Sequence, residues 1–116
     1  MIPSAVRIFV CTEPVDMRHG FDRLALAARE RSGHDPQQGA ALFIFANRSA
    51  TRLKVLWFEG HGCCVLYKRL HRAMFELPAG GVSVHIDSAA LARLLAGTPR
   101  VARRTRARKE EARAGA

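Results

Sequence analysis

RLKVLWFEGHGCCVLYKRL, residues 52–70, decides how this chain is read. Two runs, 53–58 and 63–70, are rich in Val, Leu and aromatic residues, and Glu59-Gly60-His61-Gly62 supplies turn punctuation between them. The stretch predicts a β-hairpin. With a loop of two or four residues, Phe58 opposes Cys63, Lys54 opposes Tyr67 and Arg52 opposes Arg69. Directly opposed residues share a face of an antiparallel pair, so Arg52, Lys54, Tyr67 and Arg69 gather on one side near the open end. That side suits phosphate, with one aromatic ring beside it. The other side carries Leu53, Val55, Trp57 and Leu66, a core face with Lys68 at its rim.

Working outward from the hairpin, residues 41–46, ALFIFA, form a continuous apolar run of strand length. Asn47-Arg48-Ser49 then turns the chain into the hairpin, which gives three consecutive antiparallel strands. Residues 6–12 are β-branched and aromatic and stop at Glu13-Pro14, as a first strand would. Asp16 is placed to cap a long helix in which Met17, Phe21, Leu24 and Ala28 recur at spacings of four, three and four. Gly20 inside that helix would cost about 1 kcal/mol against Ala, so a close neighbour to its backbone is expected. Gly33 stands where a helix-ending glycine belongs, and Asp35-Pro36 opens a loop.

Beyond the hairpin, a short strand falls within 72–77, and the alternation of 82–86, VSVHI, predicts another. Asp87 or Ser88 caps a closing helix that turns Ala90, Leu91, Leu94 and Leu95 inward, with Gly97 and Pro99 at its end. The expected fold is a single α+β domain over residues 1–97. It holds a mainly antiparallel sheet of about five strands, one long helix and a short C-terminal helix. Residues 98–116 read as a basic tail, with Val101 the one large apolar residue after residue 99; such a stretch cannot bury a face and is expected to be disordered.

A chain of 116 residues suits one core. Its hydrophobic content of 48% and charged content of 25% are those of a globular protein. The formal net charge of +9 makes an anionic partner the first to consider. Twelve Lys and Arg stand against eight Asp and Glu up to residue 99, and seven against two beyond it. No apolar stretch approaches the roughly 20 residues of a membrane span, and no secretory signal pattern is seen at the start. Cys11, Cys63 and Cys64 form no CxxC spacing and leave an odd thiol, which suits a reducing compartment. A cytoplasmic protein without membrane contact is expected.

Enzymatic constellations are weak by comparison with the basic features. His61, Cys63, Cys64 and His71 lack zinc-site spacing, and adjacent strand positions such as Cys63 and Cys64 point to opposite faces. The three thiols read as small hydrophobes. Asp16, Asp22, Asp35 and Glu59 are scattered, so metal-dependent phosphodiester chemistry has no frame, and no GxxxxGK[ST] phosphate loop occurs. The expectation is therefore no catalytic residue, no metal and no cofactor. Phosphate contact falls to Arg48, Arg52, Lys54, Tyr67, Lys68 and Arg69, joined by Arg103, Arg104, Arg106, Arg108 and Lys109 of the tail. Such contacts carry affinity and no sequence preference of their own.

An ordered series of short blocks remains: Val15-Asp16-Met17-Arg18-His19-Gly20-Phe21-Asp22, Asp35-Pro36, Gly39-Ala40-Ala41-Leu42-Phe43-Ile44-Phe45, Asn47-Arg48, Lys54-Val55-Leu56-Trp57 and Tyr67-Lys68-Arg69-Leu70. Over about residues 5–97 the chain resembles the small accessory TnpB proteins, the second open reading frame products, of bacterial insertion sequences of the sixty-six type. His19 stands where that family usually has Lys, and Cys63-Cys64 where it commonly has bulky aromatic residues. The resemblance implies an accessory, non-catalytic role in transposition beside a separate DDE-type transposase and a further accessory protein. Transposon DNA, the cognate transposase and that other accessory protein are the partners implied. Asp16, Arg18 and Gly20, at the start of the expected helix, are candidates for a partner-facing or structural site. The rival readings are a pure protein-interaction module whose basic groups meet acidic protein surfaces and a small metal-dependent nuclease.

Overall fold

The computed structural model describes residues 6–99. In chain order these form β1 (Arg7–Cys11), α1 (Phe21–Ser32), a single 3-10 turn (Pro36–Gln38), β2 (Ala41–Ala46), β3 (Arg52–Glu59), β4 (Gly62–Arg69), β5 (Ala73–Met74), β6 (Ser83–Ile86), α2 (Ser88–Ala96) and β7 (Thr98–Pro99). Five strands make one sheet in the order β4-β3-β2-β1-β6, and β5 pairs with β7 in a small second sheet. Neighbours in the large sheet are antiparallel except β1 and β2. That parallel pair needs a long crossover, and α1 with the turn after it supplies one. The α+β class is as the sequence predicts.

The continuous apolar run ALFIFA is explained by position. As β2 it lies mid-sheet and all six residues are buried, because helices cover both faces. On one face Leu24 and Ala28 of α1 pack with Cys11, Phe43, Phe45 and Leu56. On the other, Leu91 and Leu94 of α2 and Phe75 pack with Ile8, Val10, Ile44, Leu53 and Val55. Trp57 is only partly buried at the margin of this second core, and its indole N–H donates to Glu59 at 3.4 Å. It lies toward the hairpin tip, where the pairing of β2 with β3 recorded between Phe43 and Ala46 on one strand and Leu53 and Leu56 on the other has ended.

The start of α1 differs from the expectation. Asp16 does not cap the helix: its carboxylate accepts the Arg18 backbone N–H at 2.8 Å in a local turn, the other use that Asp makes of the same chemistry. Gly20 is the N-cap, extended at φ −90° and ψ −166°, and no heavy atom lies within 4 Å of where a Cβ would stand. Neither a helical glycine nor a close neighbour is present there. Phe21, in the first turn, is 51% exposed, so the buried stripe of α1 starts at Leu24.

The end of α2 is more demanding. Asp87 caps its start, accepting the Ala90 N–H at 2.7 Å. Gly97 ends it at φ 75° and ψ 175°, a region close to glycine-only, and a Cβ there would come within 2.6 Å of Leu70 Cδ1. Thr98 and Pro99 then pair with Met74 and Ala73.

Candidate nucleic-acid interface

The hairpin has the expected register. Arg52 pairs with Arg69, Leu53 with Lys68, Lys54 with Tyr67, Trp57 with Cys64 and Phe58 with Cys63, leaving a two-residue loop between Glu59 and Gly62. Arg52, Lys54, Tyr67 and Arg69 therefore share the α1 side of the sheet, and Leu53, Val55 and Trp57 the α2 side.

Asn47 shapes the turn that leads into β3. Its side-chain carbonyl accepts the N–H groups of Thr51 at 3.0 Å and Arg52 at 2.9 Å, which folds residues 47–52 tightly and leaves Arg48 exposed. After the hairpin, Leu70 N–H donates to Thr51 O at 2.8 Å and Phe75 N–H to Ala50 O at 2.7 Å. The chain is thereby drawn back along the same turn, and His71 and Arg72 project beside it, both exposed. Ala50 and Arg72 hold positive φ angles of 56° and 58°, an uncommon setting for residues with a Cβ. Arg48, Arg52, Arg69 and Arg72 thus surround the open end of the hairpin. The basic string Lys68-Arg69-Leu70-His71-Arg72 was visible in the sequence, but the return of its last two residues to the Asn47 turn was not.

Among the described residues the ion pairs are Arg18 with Asp16 and Arg31 with Glu13, so none of these four arginines has a carboxylate within 4.0 Å. Arg52 and Arg69 face each other directly across the strands, an arrangement that costs a few tenths of a kcal/mol to about 1 kcal/mol when nothing neutralises it.

The two hairpin lysines are differently placed. Lys54 Nζ donates to Met17 O at 2.6 Å and His19 O at 3.0 Å, and it lies 5.4 Å from the centre of the Tyr67 ring. It fastens the turn before α1 to the sheet. Lys68 Nζ, on the opposite side, donates to Leu95 O at 2.7 Å near the end of α2, where a cation also meets the negative end of the helix dipole. Tyr67 remains 47% exposed. Arg103, Arg104, Arg106, Arg108 and Lys109 lie outside the described residues.

The turn held by Lys54 presents a second polar feature. Arg18 meets Asp16 side-on, Nη2 to Oδ2 at 2.6 Å and Nε to Oδ1 at 3.0 Å, with the arginine side chain 90% exposed. The side-chain hydrogen bonds from Arg18, then its backbone N–H, hold the Asp16 carboxyl well below the usual carboxylate range, and the pairing raises the Arg18 guanidinium in turn. Of the thiols, Cys11 is pushed up to about 11 by burial, against a weaker opposing influence of Arg31, so it stays neutral in the core. Cys63 and Cys64 occupy opposite sides of β4. Among the described residues no three His, Cys, Asp or Glu side chains gather as a metal-ligand set, and no helix is long and apolar enough to cross a membrane.

A small α+β protein whose hairpin end carries arginines without an ion pair among the described residues is the class that fold and site define. The profile of the family described as IS66 Orf2 like protein matches residues 6–105, and the chain belongs to that family. An accessory role in transposition is supported by this membership. The chain is similar to the uncharacterized protein y4hO of Sinorhizobium fredii, 43% identical over 100 residues that cover 84% of this chain and 86% of the relative. It is also similar to the uncharacterized protein y4jC of the same organism, 32% identical over 73 residues, 63% of this chain and 62% of the relative. No solved structure matches.

Proposed function

We propose that the protein assists transposition without chemistry of its own, by holding transposon DNA against the open end of the β3–β4 hairpin. The observation that carries this reading is the Arg52–Arg69 rung, two like charges directly opposed and without a carboxylate partner among the described residues. An anion bridging both guanidiniums would relieve their repulsion, and phosphate oxygens match the guanidinium fork. Arg48 and Arg72 extend the same surface, and the exposed Tyr67 ring borders it. Contacts of this kind neutralise phosphates and release counterions without reading bases. The test is duplex binding by the full chain and by the double variant Arg52→Glu, Arg69→Glu. Loss of binding with an unchanged melting temperature supports the reading, and undiminished binding contradicts it.

A second reading is favoured by the Asp16–Arg18 turn. This ion pair is exposed, and the backbone of the turn that bears it is held by two Lys54 hydrogen bonds, so it can meet a protein partner with little further ordering. The cognate transposase is the partner proposed for it. Arg18→Ala should then weaken transposase binding and leave DNA binding unchanged; loss of DNA binding alone would remove the turn from this role.

A further inference from the structure

β4 is one edge of the large sheet, and of the protections that edge strands usually carry it has only the charged pair Lys68 and Arg69 at one end. It runs eight residues without proline, and its pairing with β3 continues from Glu59↔Gly62 to Arg52↔Arg69 without a bulge. Its two charges both lie at one end, and Lys68 is turned inward to Leu95 O. The other edge, β6, has only four residues.

Alternation of the ladder identifies the backbone groups left open. Leu70 N–H bonds to Thr51 O on β3, while the Arg52 carbonyl accepts Asn47 N–H on the β2 side. Residues of β4 opposite Arg52, Lys54, Leu56 and Phe58 therefore turn their main-chain groups away from β3. These are Arg69, Tyr67, Val65 and Cys63. Each carries one N–H and one C=O, and outside the ladder to β3 no backbone partner for them occurs among the described residues. Beside them Leu66 is 44% exposed and Tyr67 47% exposed.

We infer that two copies of this chain join antiparallel along β4, with the dyad at Leu66. In that register Cys63 of each copy faces Arg69 of the other, Val65 faces Tyr67, and the two Leu66 side chains meet. All the outward N–H and C=O groups then find partners, and the α1 sides of both copies stay on one face. A shift of the dyad to Val65 would set Arg69 against the turn residue His61 and leave the strand incompletely paired. Faces would be exchanged by a one-residue slip of the pairing itself.

Charge placement agrees with self-pairing. The two Arg69 residues lie six strand positions apart across the dyad, ~20 Å, well beyond the screening length of physiological salt. Cys63 packs against the core under α1, the helix that carries Asp22 in its first turn, and burial first, then Cys64 and the Asp22 carboxylate, push its thiol up. Asp22 has no ion-pair partner among the described residues. Pairing Cys63 with Arg69 of the second copy keeps α1 of one copy and that arginine of the other on the same side of the joined sheet. The proposed DNA contact is not needed for any of these steps.

The test is sedimentation equilibrium on the full chain over a broad concentration series, with circular dichroism to confirm folding. The wild type should be a dimer. Leu66→Lys and Leu66→Glu should each weaken association at least about tenfold, because like charges then face each other across the dyad. Mixed in equal amounts they should recover a dimer containing one of each. Tyr67→Pro, which removes an outward N–H and spares the bonds to β3, should also weaken association even if the Leu66 variants fold poorly. A monomeric wild type, a dimer indifferent to these changes, or folded Leu66 variants that stay monomeric when mixed would overturn the inference.

Discussion

The arginine rung and the lysines next to it occupy one hairpin end yet have opposite fates. Arg52 and Arg69 face each other, and neither makes an ion pair among the described residues. Lys54 and Lys68, one or two positions away, each give their ammonium to backbone carbonyls of other segments. Lys54 ties down the turn before α1, and Lys68 ties down the end of α2. The difference teaches that a positive net charge is only an upper bound on the charge offered to a ligand. What each cation already binds decides whether it is free to bind DNA.

The largest stability effect expected from this contrast is at Lys54. Replacing it with Met removes charge-assisted bonds to Met17 O and His19 O, and thermal or urea unfolding should show a loss of about 2–3 kcal/mol. A neutral result would mean that the amine is free after all. Lys68→Met should follow at about 1–2 kcal/mol, since it loses one such bond and a favourable helix-end charge. The double variant Arg52→Gln, Arg69→Gln should unfold at the same denaturant concentration as the wild type or slightly above it, with up to about 1 kcal/mol gained from relieved repulsion. Marked destabilisation would show that the arginines, like the lysines, serve the fold.

Smaller effects test the turn that Lys54 supports. Because the folded Asp16 pKa lies below its unfolded value, its contribution is fully present above the ordinary carboxylate range and is lost progressively as pH falls from that range into strong acid. A carboxyl-carbon NMR titration should show this depressed midpoint, and Arg18→Ala should return it toward the ordinary value. An unchanged midpoint in Arg18→Ala would assign the depression to another cause. Gly20→Ser should stabilise by a few tenths of a kcal/mol, since the N-cap has room for a side chain that can accept a hydrogen bond. Destabilisation would reveal a close neighbour after all.

Much of the fold was legible because it depends on local chemistry. The hairpin register follows from turn length and alternation, the apolar run of β2 from burial on both faces, and the start of α2 from Asp87. The start of α1 is not legible because an Asp carboxylate serves a helix cap and a local turn by the same chemistry, and the carbonyls of the turn that forms are held by Lys54 from a distant strand. The engagement of Lys54 and Lys68 was hidden for the same reason: their acceptors are 35 or more and 27 residues away in the chain. Trp57 looked like core from its strand position, but its place toward the hairpin tip leaves it half-exposed, so Trp57→Ala should cost less than the roughly 3–5 kcal/mol of a fully buried aromatic. Arg72 and His71 come beside the Asn47 turn through the Leu70–Thr51 and Phe75–Ala50 hydrogen bonds, which no local pattern announces.

The most direct test of the central claim is the salt dependence of duplex binding by the wild type, Arg52→Gln, Arg69→Gln and Lys68→Gln. If the arginine rung meets phosphates, the double arginine variant should bind more weakly on every sequence, and its plot of log affinity against log salt should be shallower by about 1.8, the release belonging to two phosphate contacts. Lys68→Gln should keep the wild-type slope. Equal slopes for the wild type and the arginine variant, or a loss confined to Lys68→Gln, would contradict the account.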